Sequence, residues 1–382
     1  MSPPRGRATI APVSSLDGTC DPRFARLRDE LGARLASGDE LGAALAVHVD
    51  GEPVVDLWGG WADTAATAPW RRDTLVCVFS CTKTVVALAA LTLAARGELD
   101  LDAPVARYWP EFAANGKADV RVRHLLGHTS GLPGWEQPVA LPDLYDWEAS
   151  TARLAAQAPW WPPGTASGYH AFTYGHLVGE VVRRTTGLRP GEFVAKEIAG
   201  PLGADFHLGL DPAEHGRVAE LVPGPPPLVD DGTVDPTSVA FRTFTGPAPG
   251  DPAAFATEAF RRADIGAGNG HATARALAQI HAATPVAALA PVFDVQADGV
   301  DLVLGVPLRW GVGFALPQPA TFPFLPDRRI CYWFGAGGSF VVVDTERRAV
   351  AAYVMNQLHP GIASANSAAY LTALFSALEA VP

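Results

Sequence analysis

The run from Ser80 to Arg96 constrains the fold most: it is rich in Ala, Leu and Val, contains no Gly or Pro, and stops at Gly97. Good helix formers ended by a glycine, which adopts the left-handed backbone of a helix terminus without strain, predict one helix over this run. Its apolar part, Thr84 to Ala95, spans about 12 residues, well short of the roughly 18 to 20 needed to cross a bilayer. It therefore reads as a helix buried inside a protein core. The chain has 382 residues, enough for a sizeable core, and at about 150 residues per domain two or three structural units are expected.

Charge narrows the possible partners. Lys and Arg number 29 against 40 Asp and Glu, a net charge of −11, which repels phosphate backbones and anionic lipid. Nucleic-acid and membrane-surface roles are thus disfavoured, and a small neutral or cationic partner fits better. Residues Met1 to Leu16 hold no apolar core of the kind a secretory signal needs. The four cysteines, Cys20, Cys77, Cys81 and Cys331, lack metal-ligand spacing and suit free thiols in a reducing compartment. Cytoplasm is the expected location, with no metal and no organic cofactor.

Along the chain, Cys20 to Leu35 has amphipathic-helix spacing, followed by two β-like runs, Leu41 to His48 and Val54 to Trp58, joined through the turn pair Asp50-Gly51. From Pro104 to about Val286, helical pieces (Arg121 to Leu126, Tyr174 to Thr185, Glu192 to Ala199, Ala272 to Ala282) alternate with loops rich in Pro and Gly. The longest, Asp211 to Pro252, reads as a movable rim over a pocket. β-like runs resume at Leu302 to Leu308, Val312 to Ala315, Ile330 to Phe334, Phe340 to Val343 and Val350 to Val354, before a last helix from about Ser364 to Leu378. The expected architecture is α/β (α+β). An antiparallel sheet with flanking helices comes from residues 1–104 plus 287–382, and a helical region with a Pro/Gly-rich rim from 105–286.

Three motifs carry chemistry. Ser80-Cys81-Thr82-Lys83 places a hydroxyl and an amine three apart at the start of the strong helix, hence on one face. The chain has only three lysines, Lys83, Lys117 and Lys196, so the coincidence is informative. The helix N-terminal dipole favours a neutral amine, which can take a proton from a serine nucleophile. Tyr169, in Pro163 to Ala171 before a clear helix, is a candidate second acid/base, provided nearby cations favour phenolate. Trp333-Phe334-Gly335-Ala336-Gly337-Gly338-Ser339 is a glycine-rich strand end whose backbone N–H groups can approach a substrate and complete an oxyanion hole with the Ser80 N–H. Other readings are weaker. No G-x-S-x-G surrounds any serine. His124 and His128 lack the glutamate of H-E-x-x-H, and Gly127 interrupts them, so they read as structural. Gly266 to Gly270 reads as a turn leading into a helix.

These residues resemble the serine β-lactamase and penicillin-binding-protein superfamily, in particular its class C-like (family VIII) esterase and acyltransferase branch. Ser80 and Lys83 match S-x-x-K, Tyr169 matches the tyrosine of Y-x-N, and Trp333-Phe334-Gly335 stands at K-T-G, where the esterase branch often carries W-G-G or H-G-G. Further matching stretches are Asp56 to Asp63, Leu125 to Leu132 and Ala352 to Asn356. The resemblance implies a β-lactamase/transpeptidase-like fold and an acyl-enzyme on Ser80, with Lys83 and Tyr169 moving the proton and Ser80 and Ala336 donating to the oxyanion. His170, Trp333, Phe334, Gly335 and Trp135 are the expected substrate contacts. Ala171 in place of the motif asparagine, and Trp333 in place of its lysine, remove groups that bind a β-lactam, while Phe334 suggests a narrow apolar acyl site. Hydrolysis of small esters is the first expectation, and acyl transfer to a small alcohol or amine the second. β-Lactamase or D-amino-acid peptidase or amidase activity is weaker, and a non-catalytic binding role weakest.

Overall fold

The computed structural model describes residues 16–136, 139–224, 235–245 and 252–380. Nine strands form one antiparallel sheet: β1 (Asp17–Cys20), β2 (Gly42–Val49), β3 (Glu52–Gly60), β7 (Ala297–Val300), β8 (Pro307–Trp310), β9 (Ala315–Leu316), β10 (Ile330–Phe334), β11 (Phe340–Asp344) and β12 (Ala349–Met355), in the order β1-β3-β2-β12-β11-β10-β9-β8-β7. A small sheet of β4 (Val76–Cys77), β6 (His271–Ala272) and β5 (Phe206–His207) stands apart. The longer helices are α1 (Ala25–Ser37), α2 (Thr82–Ala95), α3 (Trp147–Ala156), α4 (Thr173–Thr186), α5 (Ala274–Ala283) and α6 (Ala365–Glu379).

The hairpin expected at Asp50-Gly51 forms because both residues take positive φ, +53° and +86°, the backbone of a two-residue turn that follows strand twist. In the centre of the sheet β2 pairs with β12 from Ala43↔Met355 to Val49↔Ala349, so the two ends of the chain share one ladder. Side-chain alternation then divides the core. Ala43, Leu45 and Val47 meet Leu27, Leu31 and Leu35 of α1 and Tyr370 and Leu374 of α6. Ala44 and Ala46 face the opposite layer, which holds α2, α4 and α5. With both faces covered, the central strands are unbroken apolar runs rather than alternating ones.

Two strand expectations fail locally. Leu302 to Leu308 is mostly turn: Asp301 N–H donates to Val306 O at 3.0 Å and Gly305 N–H to Asp301 O at 2.8 Å, with Gly305 at φ +70°. The strand starts only at Pro307. Val312 to Ala315 contributes just its last residue to β9, because Gly313, at φ +85°, turns the chain. The two regions also interlock. α5 lies in the range expected for the helical part yet packs on β2, β11 and β12, whereas α2 packs against α4. Residues 225–234 and 246–251 of the expected rim lie outside the described residues. Among the described residues, no helix is long and apolar enough to cross a membrane.

Gly175, in the first turn of α4, brings the site together. A Cβ there would stand 2.5 Å from Ala267 N and 2.6 Å from Gly266 N, so helix and loop touch backbone to backbone. Gly175→Ala is expected to cost about 1–3 kcal/mol by overpacking, read as a lower thermal midpoint. Gly216→Ala, where a Cβ meets nothing within 4 Å, should stay within about 0.5 kcal/mol of the parent.

Candidate active site

Ser80 sits on a single tight turn, Phe79–Cys81, between β4 and α2. Phe79 has φ +43°, a strained conformation for a bulky residue that persists only where its surroundings hold it. The Val78 N–H donates to Gly270 O at 2.9 Å, and the Phe79 ring packs edge-on against Phe255 at 5.3 Å. The turn's own bonds run from Cys81 N–H to Val78 O and from Thr82 N–H to Phe79 O, so the Ser80 N–H takes no part in them. The Ser80 side chain lines the cavity at the N-terminus of α2.

Lys83 lies one turn on, buried, with Nζ 3.1 Å from Ser80 Oγ. Nζ also donates to Ala171 O at 2.9 Å and Ala267 O at 2.6 Å. Burial pushes its pKa well below 10.5, because desolvation penalises an ammonium. A neutral amine has two N–H groups and one lone pair. Two carbonyls take the N–H groups, and the lone pair is left for the Ser80 hydroxyl.

Tyr169 completes the group. Its hydroxyl accepts from Trp333 Nε1 at 3.0 Å and hydrogen-bonds with Ser80. Burial raises its pKa, so the phenolate considered from sequence is disfavoured and the residue is a neutral phenol. Its ring stacks on Trp310, 3° from parallel at 5.9 Å, and Lys83 Nζ lies 4.7 Å from the ring centre. Trp333, Phe334, Gly335 and Ala336 all line the cavity, and Ala336 is exposed at its edge.

Two expected contacts lie elsewhere. His170 is fully buried behind Tyr169, with Nδ1 2.7 Å from Gly168 O and Nε2 2.7 Å from Ser130 Oγ. The carbonyl only accepts, so Nδ1 carries the hydrogen and the Ser130 hydroxyl donates to Nε2. Burial lowers this histidine's pKa to about 4, and it fills a structural niche. Trp135 is buried too and donates from Nε1 to Ser150 O at 3.2 Å. Neither residue lines the cavity.

Three contributors escaped the sequence reading. The carbonyls of Ala171 and Ala267 act through the backbone, which residue type does not reveal, although the glycines around Ala267 mark a close approach. Asp301 is fully buried at the head of the turn that replaces the strand expected from Leu302. Its Oδ1 accepts from the N–H groups of Tyr169, Val303 and Leu304 at 2.9–3.0 Å, and its Oδ2 from Trp310 Nε1 at 3.0 Å. It holds both the tyrosine and the tryptophan stacked beneath it. Among the described residues, no group of three or more His, Cys, Asp and Glu side chains could hold a metal ion.

The family model described as Beta-lactamase matches residues 27–374. Esterase/beta-lactamase LipL of Mycobacterium tuberculosis is 36% identical over 368 residues, covering 89% of this chain and 83% of that protein. Among solved structures, a family VIII carboxylesterase superposes with a TM-score of 0.88 at 35% identity, covering 95% of this chain and 100% of the other. A penicillin-binding protein homolog from Caulobacter crescentus gives 0.87 at 36% identity, with coverages of 95% and 100%.

Two outcomes follow from the geometry. If Lys83 must be neutral to take the Ser80 proton, kcat/KM rises with pH as the ammonium deprotonates and levels off well below pH 10.5; a rise that continues to that pH contradicts a depressed Lys83. Asp301→Asn keeps an acceptor for the backbone N–H groups but turns an amide N–H towards Trp310 Nε1, at a cost of about 1–3 kcal/mol. Its kcat should fall roughly ten- to hundredfold with KM little changed, and a folded variant with parental kcat limits Asp301 to the fold.

Proposed function

The chain belongs to the beta-lactamase family, and from that premise we propose that it is a serine esterase working through an acyl-Ser80 intermediate. The observation that carries this reading is the buried Lys83 amine, held by two carbonyls and 3.1 Å from Ser80 Oγ. Lys83 Nζ takes the Ser80 proton as Oγ bonds to the ester carbonyl carbon. The Ser80 and Ala336 N–H groups receive the oxyanion that forms. On collapse the C–O bond to the leaving alcohol breaks, and the proton passes from Lys83 through the neutral Tyr169 hydroxyl to that alcohol. Water then bonds to the acyl carbon as its proton moves onto the same path, the bond from that carbon to Ser80 Oγ breaks, and the proton passes on to Oγ as the acid leaves.

The same apolar cavity supports a second reading, transfer of the acyl group to a small alcohol or amine, because among the described residues that line it only Ser80, Tyr169 and Trp333 carry polar side-chain groups. A β-lactam is poorly served, since among the described residues no charged side chain lines the cavity to meet its carboxylate. The proposed substrate is thus a small-molecule ester.

Ser80→Ala should abolish turnover and the acyl adduct seen by intact mass, with an unchanged circular dichroism spectrum; a folded variant keeping most of its activity would falsify the assignment. Lys83→Ala and Tyr169→Phe should each cost about 10²–10⁴-fold in acylation, and the double variant much less than the product, because one proton path is lost only once. Aryl esters should be cleaved far faster than penicillins or cephalosporins. Added alcohols or amines that divert product from free acid to acylated acceptor would favour the transferase reading.

A further inference from the structure

The cavity beside Ser80 holds about 450 Å³, room for roughly fifteen non-hydrogen atoms at the ~30 Å³ that a water molecule occupies in its liquid. A reacting ester group fills only a small part of it. The remainder is bounded by two apolar walls. One, from the helical region, carries Leu141, Leu144, Phe255 and Phe260, and the other, from the sheet side, carries Leu304 and Leu358. The first wall is stiff: Phe79, Phe255 and Phe260 form an edge-on ladder with centroids 5.3 and 5.1 Å apart. It also continues outward, because Phe244 lines the cavity and is still 41% exposed. An exposed phenylalanine at the end of an apolar trough prolongs the surface a chain can cover. Among the described residues no Asp, Glu, Lys or Arg lines it, so an ionised group carried against these walls is stripped of water without a partner from them.

Resting on the serine-esterase reading, we propose that the natural substrate is an uncharged ester whose apolar part, on the acid or the alcohol side, reaches about eight carbons or more. Each methylene taken out of water in the trough then raises kcat/KM about fourfold until the space is full. Discrimination is set by apolar lining residues such as Leu144 and Phe244.

The test uses the full chain and monomeric substrate concentrations. One arm compares p-nitrophenyl acetate, butyrate, octanoate and decanoate, and the other compares ethyl acetate with octyl acetate by acid release. The expected result is a rise in kcat/KM from two to eight carbons of up to about 4,000-fold, six methylenes at about fourfold each, and of at least about 100-fold where burial is partial, in at least one arm, which also identifies the side that binds. A mono-p-nitrophenyl octanedioate, with a terminal carboxylate, should lose about 100-fold against the octanoate. Phe244→Asp and Leu144→Asp should each cut the octanoate-to-acetate ratio about tenfold or more. Short esters cleaved as well as long ones in both arms, or a terminal carboxylate tolerated, overturns this proposal and leaves the esterase reading standing. Failure to cleave any ester overturns both.

Discussion

An amine inside an apolar core is costly unless each of its polar atoms has a partner, and the rest of this structure depends on how Lys83 is satisfied. Its three neighbours come from distant parts of the chain: Ser80 from the turn before α2, Ala171 from the loop before α4, and Ala267 from the loop before α5. Each carbonyl accepts one N–H, and neither carries a formal charge that would hold a proton on the amine. A carboxylate in either place would stabilise the ammonium and remove the base. The choice of backbone carbonyls is therefore chemical as well as structural.

The aromatic group around Tyr169 serves the other half of the site. Trp310, Trp333 and His128 surround its ring, with His128 4.2 Å from Trp310 and Trp310 4.6 Å from Trp333. Beneath them Asp301 takes up one indole and three backbone N–H groups. The phenol is thus positioned by packing and hydrogen bonds rather than by a cation, and it stays neutral. Trp333 has a double part, since its indole N–H bonds the phenol while its strand, β10, leads to Ala336. A motif position that carries lysine in K-T-G here binds the same tyrosine region through a neutral donor.

The parts of this molecule readable from sequence were those set by local pattern. The buried helix α2, the Asp50-Gly51 hairpin, the central strands and α6 follow from propensity, turn chemistry and apolar runs, and Ser80, Lys83 and Tyr169 follow from motifs. The unreadable parts arise from tertiary approach. Nothing in residue type shows that Ala267 offers a carbonyl to Lys83, and the leucines at 302 and 304 look like strand because a half-buried turn next to a cavity needs the same apolar residues. His170 and Trp135 illustrate the converse. His170 adjoins Tyr169 and Trp135 follows the Leu125 to Leu132 stretch, yet their polar atoms find partners within the core, and nearness in sequence did not become nearness to the cavity.

The pairing of β2 with β12 has a consequence for how the protein comes into being. Residue 49 finds its partner only at residue 349, so the middle of the sheet has to wait for the length of chain between them to leave the ribosome. Contacts this remote in sequence close slowly, and the apolar edge of the early hairpin stays open in the meantime. A nascent or shortened chain would already contain Ser80 and Lys83 but no β10 to carry Trp333 to the tyrosine. Competence for chemistry thus arrives with the last strands, and until they pair the open apolar edge is exposed to aggregation.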